Sequence, residues 1–233
     1  MTEAPPGPQG TEEGTSVPLT GIRKAAAKQM VAAWAAPAFH LSTGVDMTEA
    51  LKVRETIAGA TVTDVIIRAC AAALVQVPEM NAWYEDLSTR RFAQVNIGVA
   101  VATEAGLTVP VIHDASALDL AEIAERRRDA VQRARHGALK WADVSRGTFT
   151  ISNLGMRDID SFDAILNVPQ VAILAVAATR PTPIPDGERG MRWRSVAQLT
   201  LSCDHRAVDG AAGAAFLEVV KAGIEAPIAR PGG

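Results

Sequence analysis

Apolar and polar residues alternate with the periods of helices and strands from about Val17 onward. Apolar side chains at helical spacing predict a helix over 21–34, with Thr20 as its N-cap. The segment 64–75 is apolar nearly all round, which predicts a buried helix that Pro78 ends. The other segments predicted to be helical are 48–57, 118–135 and 210–224.

Strands are predicted from two kinds of apolar pattern. Strict alternation over 92–103 predicts one long strand, and the continuous apolar run over 171–177 is typical of a central strand covered on both faces. Residues 181–190 are rich in proline and glycine, which predicts a loop. Because strands and helices mix without a regular βαβ alternation, the predicted fold class is mixed α/β, with helices covering a mixed sheet. The remaining predicted strands are 39–46, 107–112, 148–152 and 191–203.

The N-terminal segment differs in composition from the rest of the chain. Residues 1–16 contain three prolines, three glycines and three glutamates, and no large aliphatic residue except Met1. Such a segment has too little apolar surface to bury on folding. The sequence therefore predicts a disordered tail or linker over 1–16 and a single domain over 17–233.

Charge and hydropathy argue against several classes of protein. The 23 basic and 26 acidic residues give a formal net charge of -3, which disfavours nucleic acid as the main partner. No apolar run approaches the ~20 residues of a membrane span, and no signal-peptide pattern is present, so a cytoplasmic protein is predicted. Cys70 and Cys203 lie in apolar stretches outside any CxxC pair, which predicts buried thiols. No spacing of His, Cys and Asp predicts a metal site.

The stretch LSCDHRAVDG, residues 201–210, lies where a predicted strand meets a helix, a position where catalytic groups are often found. Its His-x-x-x-Asp-Gly pattern is expected by chance only about 0.02 times in such a chain. His205 is therefore a candidate base, and a histidine satisfied in a buried turn is the alternative. Asp209 has a structural alternative as the N-cap of the next helix, and Gly210 as a point of close backbone packing.

A second candidate segment, GTFTISNLG, spans residues 147–155. A predicted strand ends at Ser152 and Asn153, and Gly155 permits a sharp turn. The hydroxyl of Ser152 is a candidate hydrogen-bond donor to a reacting group. Its alternative role is that of a turn hydroxyl bonded to its own backbone.

These segments, in this order, resemble the catalytic domain of the dihydrolipoamide acyltransferases, the core components of 2-oxo acid dehydrogenase complexes. The resemblance extends from Val17 to about Ala226. Several separate blocks in one order are more specific than His-x-x-x-Asp-Gly alone, which chloramphenicol acetyltransferases and peptide-synthetase condensation domains also contain. The blocks are VPLTGIRKAAAKQM, VNIGVAVATEAGLTVPVI, GTFTISNLGM, VPQVAILAV and LSCDHRAVDG.

The resemblance implies a role for each matching residue. His205 matches the family's general base, Ser152 its oxyanion-stabilising serine and Asp209 the aspartate of its motif. By analogy with the superfamily, Asp209 pairs with Arg23 to hold the shape of the loop, and Gly210 supports the same loop. The residues implied to border the substrate channel are Asn153, Leu154 and Gly155.

The resemblance also implies an assembly and a reaction. It implies a chloramphenicol acetyltransferase-like two-layer sandwich that forms a homotrimer, with each active site at a subunit interface. The reaction is transfer of an acyl group between thiols, which belong to a dihydrolipoyl group, to coenzyme A or to the phosphopantetheine of a carrier protein. These thiols are substrates, and neither a metal nor a tightly bound cofactor is expected.

Three features depart from the family pattern. The 233 residues contain no stretch that resembles the lipoyl and peripheral-subunit-binding domains usually found upstream in the family, so a separate lipoyl-domain protein or acyl carrier protein is an expected partner. Whether the chain is a truncated core or a natural short protein stays open. Beyond residue 226, Ile228 is the only large aliphatic residue, which predicts an isolated trimer without the contacts of a larger cage. The segment 156–163 is unusually charged, which predicts either an unusual substrate or a drifted surface loop.

Three alternative functions compete with this interpretation. The first is a stand-alone acyltransferase of secondary metabolism that loads an acyl carrier protein, and the sequence does not separate it from a dehydrogenase component. The second is a non-catalytic trimeric scaffold, against which the presence of Ser152, His205 and Asp209 argues. The third is a condensation-type enzyme, which needs two such halves in one chain, whereas 233 residues hold only one. The acyl group itself is not predicted.

Overall fold

The computed structural model describes residues 15–19, 21–187 and 190–226. Most of the predicted tail and the predicted N-cap Thr20 therefore lie outside the described residues, as does the segment 227–233. Residues 15–19 are in neither a helix nor a strand. The predicted boundary between tail and domain stays a prediction.

Helices form where the sequence is periodic, and most of them lie close to their predicted bounds. In the described residues they are α1 (Gly21–Trp34), α2 (Thr48–Leu51), α3 (Val53–Thr56), α4 (Val62–Gln76), α5 (Leu120–Arg135), α6 (Trp141–Val144) and α7 (Gly210–Glu225). Short 3-10 turns lie at Pro78–Met80 and Ala115–Ala117. Within the described ranges, none of these helices is long and apolar enough to cross a membrane. The cytoplasmic location stays a prediction.

The strands form one large sheet and two small hairpins. The large sheet has the order β1-β10-β9-β8-β4-β7, in which β8 runs parallel to both β4 and β9 and the other pairs are antiparallel. The predicted mixed α/β class is therefore confirmed. The strands are β1 (Ala38–Asp46), β2 (Ala82–Glu85), β3 (Ser88–Arg91), β4 (Ile97–Val99), β5 (Val101–Thr103), β6 (Gly106–Thr108), β7 (Val111–Ile112), β8 (Phe149–Asn153), β9 (Ala172–Asp186) and β10 (Gly190–Asp204).

Helices α4 and α7 pack against each other and bury the main core on one face of the sheet. The rings of Phe149 on β8 and Phe216 on α7 lie 5.2 Å apart in this core. A Cβ at Gly213 would lie only 2.8 Å from Cδ1 of Leu41, so glycine lets α7 approach β1 closely. A small cluster of Ala36, Leu166 and Ile173 forms a second buried patch. The packing of α7 fixes the loop that precedes it, where the candidate base lies.

Two of the predicted elements are each divided in the structure. The helix predicted over 48–57 is two short helices, because the amides at Lys52 and Glu55 donate to carbonyls three residues earlier and tighten the chain. The strand predicted over 92–103 is wrong in its bounds, since β4 belongs to the large sheet while β5 pairs with β6 in a separate hairpin. The strand predicted over 107–112 is divided between β6 and β7 in the same way. The hairpin of β2 and β3 was not predicted.

The loop predicted over 181–190 is wrong, because most of it continues β9 and pairs with β10. Three prolines in this stretch suggested a loop, but Pro181, Pro183 and Pro185 alternate. Alternate residues of a strand direct their N–H groups to the same side, so Thr182 and Ile184 keep theirs for the ladder with β10. β8 pairs with β9 only as far as Val176, which leaves the proline side without a strand to bond.

Both cysteines are buried, as predicted. Burial raises the pKa of the Cys70 thiol far above its usual range. Burial, together with the neighbouring Asp204 carboxylate, raises the pKa of Cys203 to about 12. Thiols with such pKa values are almost fully protonated near neutral pH, so neither cysteine is suited to act as a nucleophile.

A buried ion pair joins the two helices nearest the end of β8. The Asp64 carboxylate is fully buried, accepts from Nε and Nη2 of Arg127 at 2.5 and 3.0 Å, and caps α4 through Thr61. Removing Arg127 would leave that carboxylate buried with its charge unpaired.

We therefore expect Arg127→Ala to lower the free energy of unfolding by about 3–5 kcal/mol in urea denaturation at fixed protein concentration. The matched control is Arg128→Ala, which removes an exposed cation from the same helix and should cost less than about 0.5 kcal/mol. Equal small losses in the two variants would show that the pair does not stabilise the fold.

Candidate active site

His205 lies in the turn between β10 and α7. Its backbone is held by a hydrogen bond, whereas its ring nitrogens have no hydrogen-bond partner among the described residues. Its amide donates to the carbonyl of Pro37 at 3.0 Å, and its ring lies 4.8 Å from the ring of Phe39. The residue is exposed, and its ring nitrogens form no hydrogen bond with the residues that the structure describes. The alternative of a histidine satisfied in a buried turn does not apply within one chain.

Asp204 and Arg206, on either side of His205, form the ion pair that shapes this turn. The buried Asp204 carboxylate accepts from Nε and Nη2 of Arg206, the latter at 2.7 Å, and also from the Arg206 amide. These bonds raise the pKa of Arg206 above its usual range. The guanidinium also lies 4.1 Å above the ring of Tyr84. Sequence reasoning did not single out this pair, although opposite charges directly flanking the candidate base were visible in the motif.

Asp209 caps α7, which was its structural alternative. Its Oδ1 accepts from the Ala212 amide at 2.9 Å. Within one chain no ion pair joins it to Arg23, because α1 begins beside the β5–β6 hairpin and the Arg23 side chain lies against Gly106. A Cβ at Gly210 would meet nothing within 4 Å, so close packing in one chain does not require glycine there.

Ser152 lies one residue before the end of β8 and lines a cavity of about 340 Å³. Its hydroxyl forms no hydrogen bond to the described residues, so the alternative of a turn hydroxyl bonded to its own backbone is not what the geometry shows. Asn153 and Leu154 line the same cavity. Gly155 is not among its lining residues and lies one position further along.

Asn153 fixes the backbone immediately after Ser152. Its Nδ2 donates to Oγ1 of Thr63 on α4 at 3.0 Å, and its Oδ1 accepts from the Gly155 amide at 2.7 Å. The Leu154 amide donates to the carbonyl of Val176 on β9. The end of β8 is therefore tied both to a helix and to the neighbouring strand, which holds Ser152 in a defined position.

One chain does not bring His205 and Ser152 together. Ser152 lies opposite Ala175 of β9, whereas Cys203 lies opposite Ala172 and His205 follows two residues later. Ala175 and Ala172 are three positions apart on β9, and His205 lies two positions beyond Cys203, so Ser152 and His205 are five positions apart along the strand direction. At about 3.3 Å per residue this offset is roughly 16 Å. The two candidate groups therefore lie toward opposite ends of the sheet.

The part of the chain that the structure describes contains no group of three or more His, Cys, Asp or Glu side chains that would hold a metal ion. The three candidate catalytic residues, His205, Ser152 and Asp209, supply one imidazole, one hydroxyl and one carboxylate, each on a structured part of the chain. Such a set suits proton transfer and stabilisation of a developing oxyanion.

Comparison with known proteins identifies the family. Residues 11–230 match the family 2-oxoacid dehydrogenases acyltransferase (catalytic domain). The chain belongs to this family. The dihydrolipoyllysine-residue acetyltransferase component of the mitochondrial pyruvate dehydrogenase complex from Schizosaccharomyces pombe is 41% identical over 223 residues, which cover 91% of this chain and 46% of that protein. The chain spans about half the length of the curated relatives that it matches.

Solved structures agree with the acyltransferase family. Azotobacter vinelandii dihydrolipoamide acetyltransferase, studied for the role of a serine, a histidine and an asparagine in its catalytic mechanism, matches with TM-score 0.86 and 32% identity, over 95% of this chain and 97% of that one. The cubic core of a pyruvate dehydrogenase multienzyme complex matches with TM-score 0.86 and 31% identity, over the same shares. That relative is a multi-subunit assembly. A chloramphenicol acetyltransferase, 13% identical with TM-score 0.57 over 84% of this chain and 94% of that one, shares the fold, which confirms the predicted fold type.

Proposed function

We propose that this chain transfers an acyl group between two thiols, one of coenzyme A or a carrier-protein phosphopantetheine and the other of a dihydrolipoyl group. The observation that carries the proposal is His205, a histidine with a fixed backbone and free ring nitrogens in a chain of the acyltransferase family. In the Azotobacter relative the studied asparagine follows the studied histidine by four positions, which is the spacing of His205 and Asp209.

His205 is the proposed general base. It removes the proton of the attacking thiol, and the thiolate adds to the thioester carbonyl to give a tetrahedral oxyanion. An ordinary thiol has a pKa of about 8.5 and an ordinary imidazole about 6.5, so the transfer is uphill by only about 3 kcal/mol. When the intermediate collapses, the leaving thiolate recovers the proton from the imidazolium. No acyl-enzyme forms, and each bond broken is matched by one formed.

Ser152 is the proposed oxyanion donor, and a neighbouring subunit supplies it. Since about 16 Å separate it from His205 within one chain, the two groups meet only if the site lies between chains. A cyclic homotrimer repeats such a contact three times. Because β8 is tied to α4 through Asn153 and to β9 through the Leu154 amide, the backbone that carries the Ser152 hydroxyl is held in place before the oxyanion forms, which favours effective stabilisation.

The direct test is an activity assay with a panel of substrates. Acetyl-, propionyl-, isobutyryl- and succinyl-CoA are each paired with free dihydrolipoamide, a lipoyl domain and an acyl carrier protein, and thioester formation is followed by mass spectrometry. We expect transfer to dihydrolipoamide or the lipoyl domain from at least one acyl-CoA. Transfer only to the carrier protein would favour a stand-alone loading enzyme, and a folded trimer with no transfer in any pair would favour a scaffold.

A further inference from the structure

The cavity beside Ser152 has an unusual charge. Three arginines line it, namely Arg127 and Arg135 from α5 and Arg157 from the loop after β8, and none of its lining residues is acidic. These arginines come from two separate elements that converge on one space. The remaining wall is largely apolar, formed by side chains such as Val99, Leu107 and Val131.

Two of the three positive charges are not neutralised by any carboxylate of the described residues. Arg127 is bound to the buried Asp64 carboxylate. Arg135 and Arg157 form no ion pair with any carboxylate that the structure describes, although Glu104 lines a neighbouring depression together with Arg135. The cavity therefore has an excess of two positive charges. Both arginines are exposed, and two such cations at one concave wall attract anions.

We propose that Arg135 and Arg157 are specificity-determining residues that bind the phosphate of a pantetheine thiol, so that this substrate enters through the cavity beside Ser152. The inference rests on the proposed function, because it assumes that the thioester carbonyl reaches Ser152. Coenzyme A and a carrier-protein phosphopantetheine both carry a phosphate on the pantetheine arm, whereas dihydrolipoamide carries none. Guanidinium groups bind phosphate oxygens in pairs, which suits them to this choice.

The position of Arg157 links this specificity to the charged segment 156–163. Asp158 and Asp160 in that segment pair with Arg180 of β9, and the Ala178 amide donates to the carbonyl of Ile159. These contacts attach the loop to β9 and occupy two of its three acidic side chains, and the third, Asp163, lies beside His40. Arg157 is left at the cavity wall with its charge available. The charged loop is therefore part of a substrate-selecting surface and not only a solvated surface.

The test compares thioesters with and without phosphate. Acetyl-CoA and acetyl-pantetheine are used as donors to dihydrolipoamide, with the wild type and the variant Arg135→Gln/Arg157→Gln. The ratio of kcat/KM for acetyl-CoA to that for acetyl-pantetheine is expected to fall about 100-fold, because each charge-assisted contact contributes about tenfold. The dependence of kcat/KM on salt for acetyl-CoA should also weaken. Arg128→Gln, which removes an exposed arginine of α5 outside the cavity, is the matched control and should leave the ratio unchanged.

Further measurements show which phosphate the arginines bind. They also distinguish failure of this proposal from failure of the proposed function. A loss for both acetyl-CoA and an acetyl-loaded carrier protein assigns the contact to the phosphate that they share, whereas a loss for acetyl-CoA alone assigns it to the phosphates that only coenzyme A carries. An unchanged ratio, or a loss confined to succinyl thioesters, overturns the proposal. Calorimetric titration with coenzyme A and with pantetheine needs no turnover. A wild type that binds coenzyme A through these arginines yet transfers nothing would overturn the catalytic proposal and keep this one.

Discussion

The His205→Ala variant is expected to transfer acyl groups about 10²- to 10⁴-fold more slowly than the wild type, with little change in KM for either thiol. Without the imidazole, the thiol must lose its proton to water or attack in its neutral form. The loss appears in kcat because the base acts on the reacting atoms and not on the parts of the substrate that are bound at a distance. Steady-state kinetics with acetyl-CoA and dihydrolipoamide measures both constants.

The fold should tolerate this substitution. The turn is held by backbone bonds to Pro37 and by the pair of Asp204 and Arg206, none of which uses the imidazole. The ring contacts Phe39, and the rest of the side chain is exposed, so thermal unfolding should change by no more than a few degrees. A loss of activity without a loss of stability would separate catalysis from folding.

A second histidine provides the matched control. His136 lies at the C-cap of α5, where its Nδ1 contacts the carbonyl of Gln132 at 2.8 Å, and it is far from the motif in sequence. His136→Ala removes the same side chain from an exposed position and should keep wild-type kcat. If His205→Ala also keeps wild-type kcat, His205 is not the base and the proposed mechanism fails.

Local pattern predicted the helices better than it predicted the strands. α1 has the bounds that its apolar spacing predicts, because a helix is determined mainly by neighbouring residues. The stretch 92–103 shows one unbroken alternation, yet its halves join different sheets, since alternation states which face is buried and not which strand is the partner. The prolines at 181, 183 and 185 led to a wrong prediction of a loop for the same reason. A strand can contain them only because β8 ends before this part of β9, and the local sequence does not show where β8 ends.

The candidate residues were found from the motif, but their supporting contacts were not. The sequence places Asp204 and Arg206 beside His205, whereas only the structure brings Tyr84 beneath the guanidinium and Thr63 to Asn153. Those partners are more than 80 residues apart in the chain, and no local pattern signals them. The expected pair of Arg23 and Asp209 is not formed within one chain and stays a prediction for the assembly, because an analogy names residue types without fixing where α1 begins.

Coexpression of His205→Ala chains with Ser152→Ala chains is expected to restore activity to about one quarter of the wild-type value. In a cyclic trimer with sites between chains, a site is intact when a chain that keeps His205 adjoins one that keeps Ser152. Random assembly of equal amounts gives that arrangement at about one site in four. Each variant alone forms no intact site, and loss of the oxyanion donor alone costs about 100- to 1000-fold.

The activity of the coexpressed variants distinguishes a site between chains from a site within one chain. Restoration to about one quarter exceeds the activity of the Ser152→Ala variant at least ~25-fold, whereas a site within one chain predicts no restoration, because every chain lacks one group. Coexpression of the wild type with the double variant gives a second reading. Sites between chains predict about one quarter of wild-type activity, since both neighbours must be intact, and sites within one chain predict about one half. Agreement of both mixtures on a shared site would also account for the ~16 Å that separate the two residues along the sheet of a single chain.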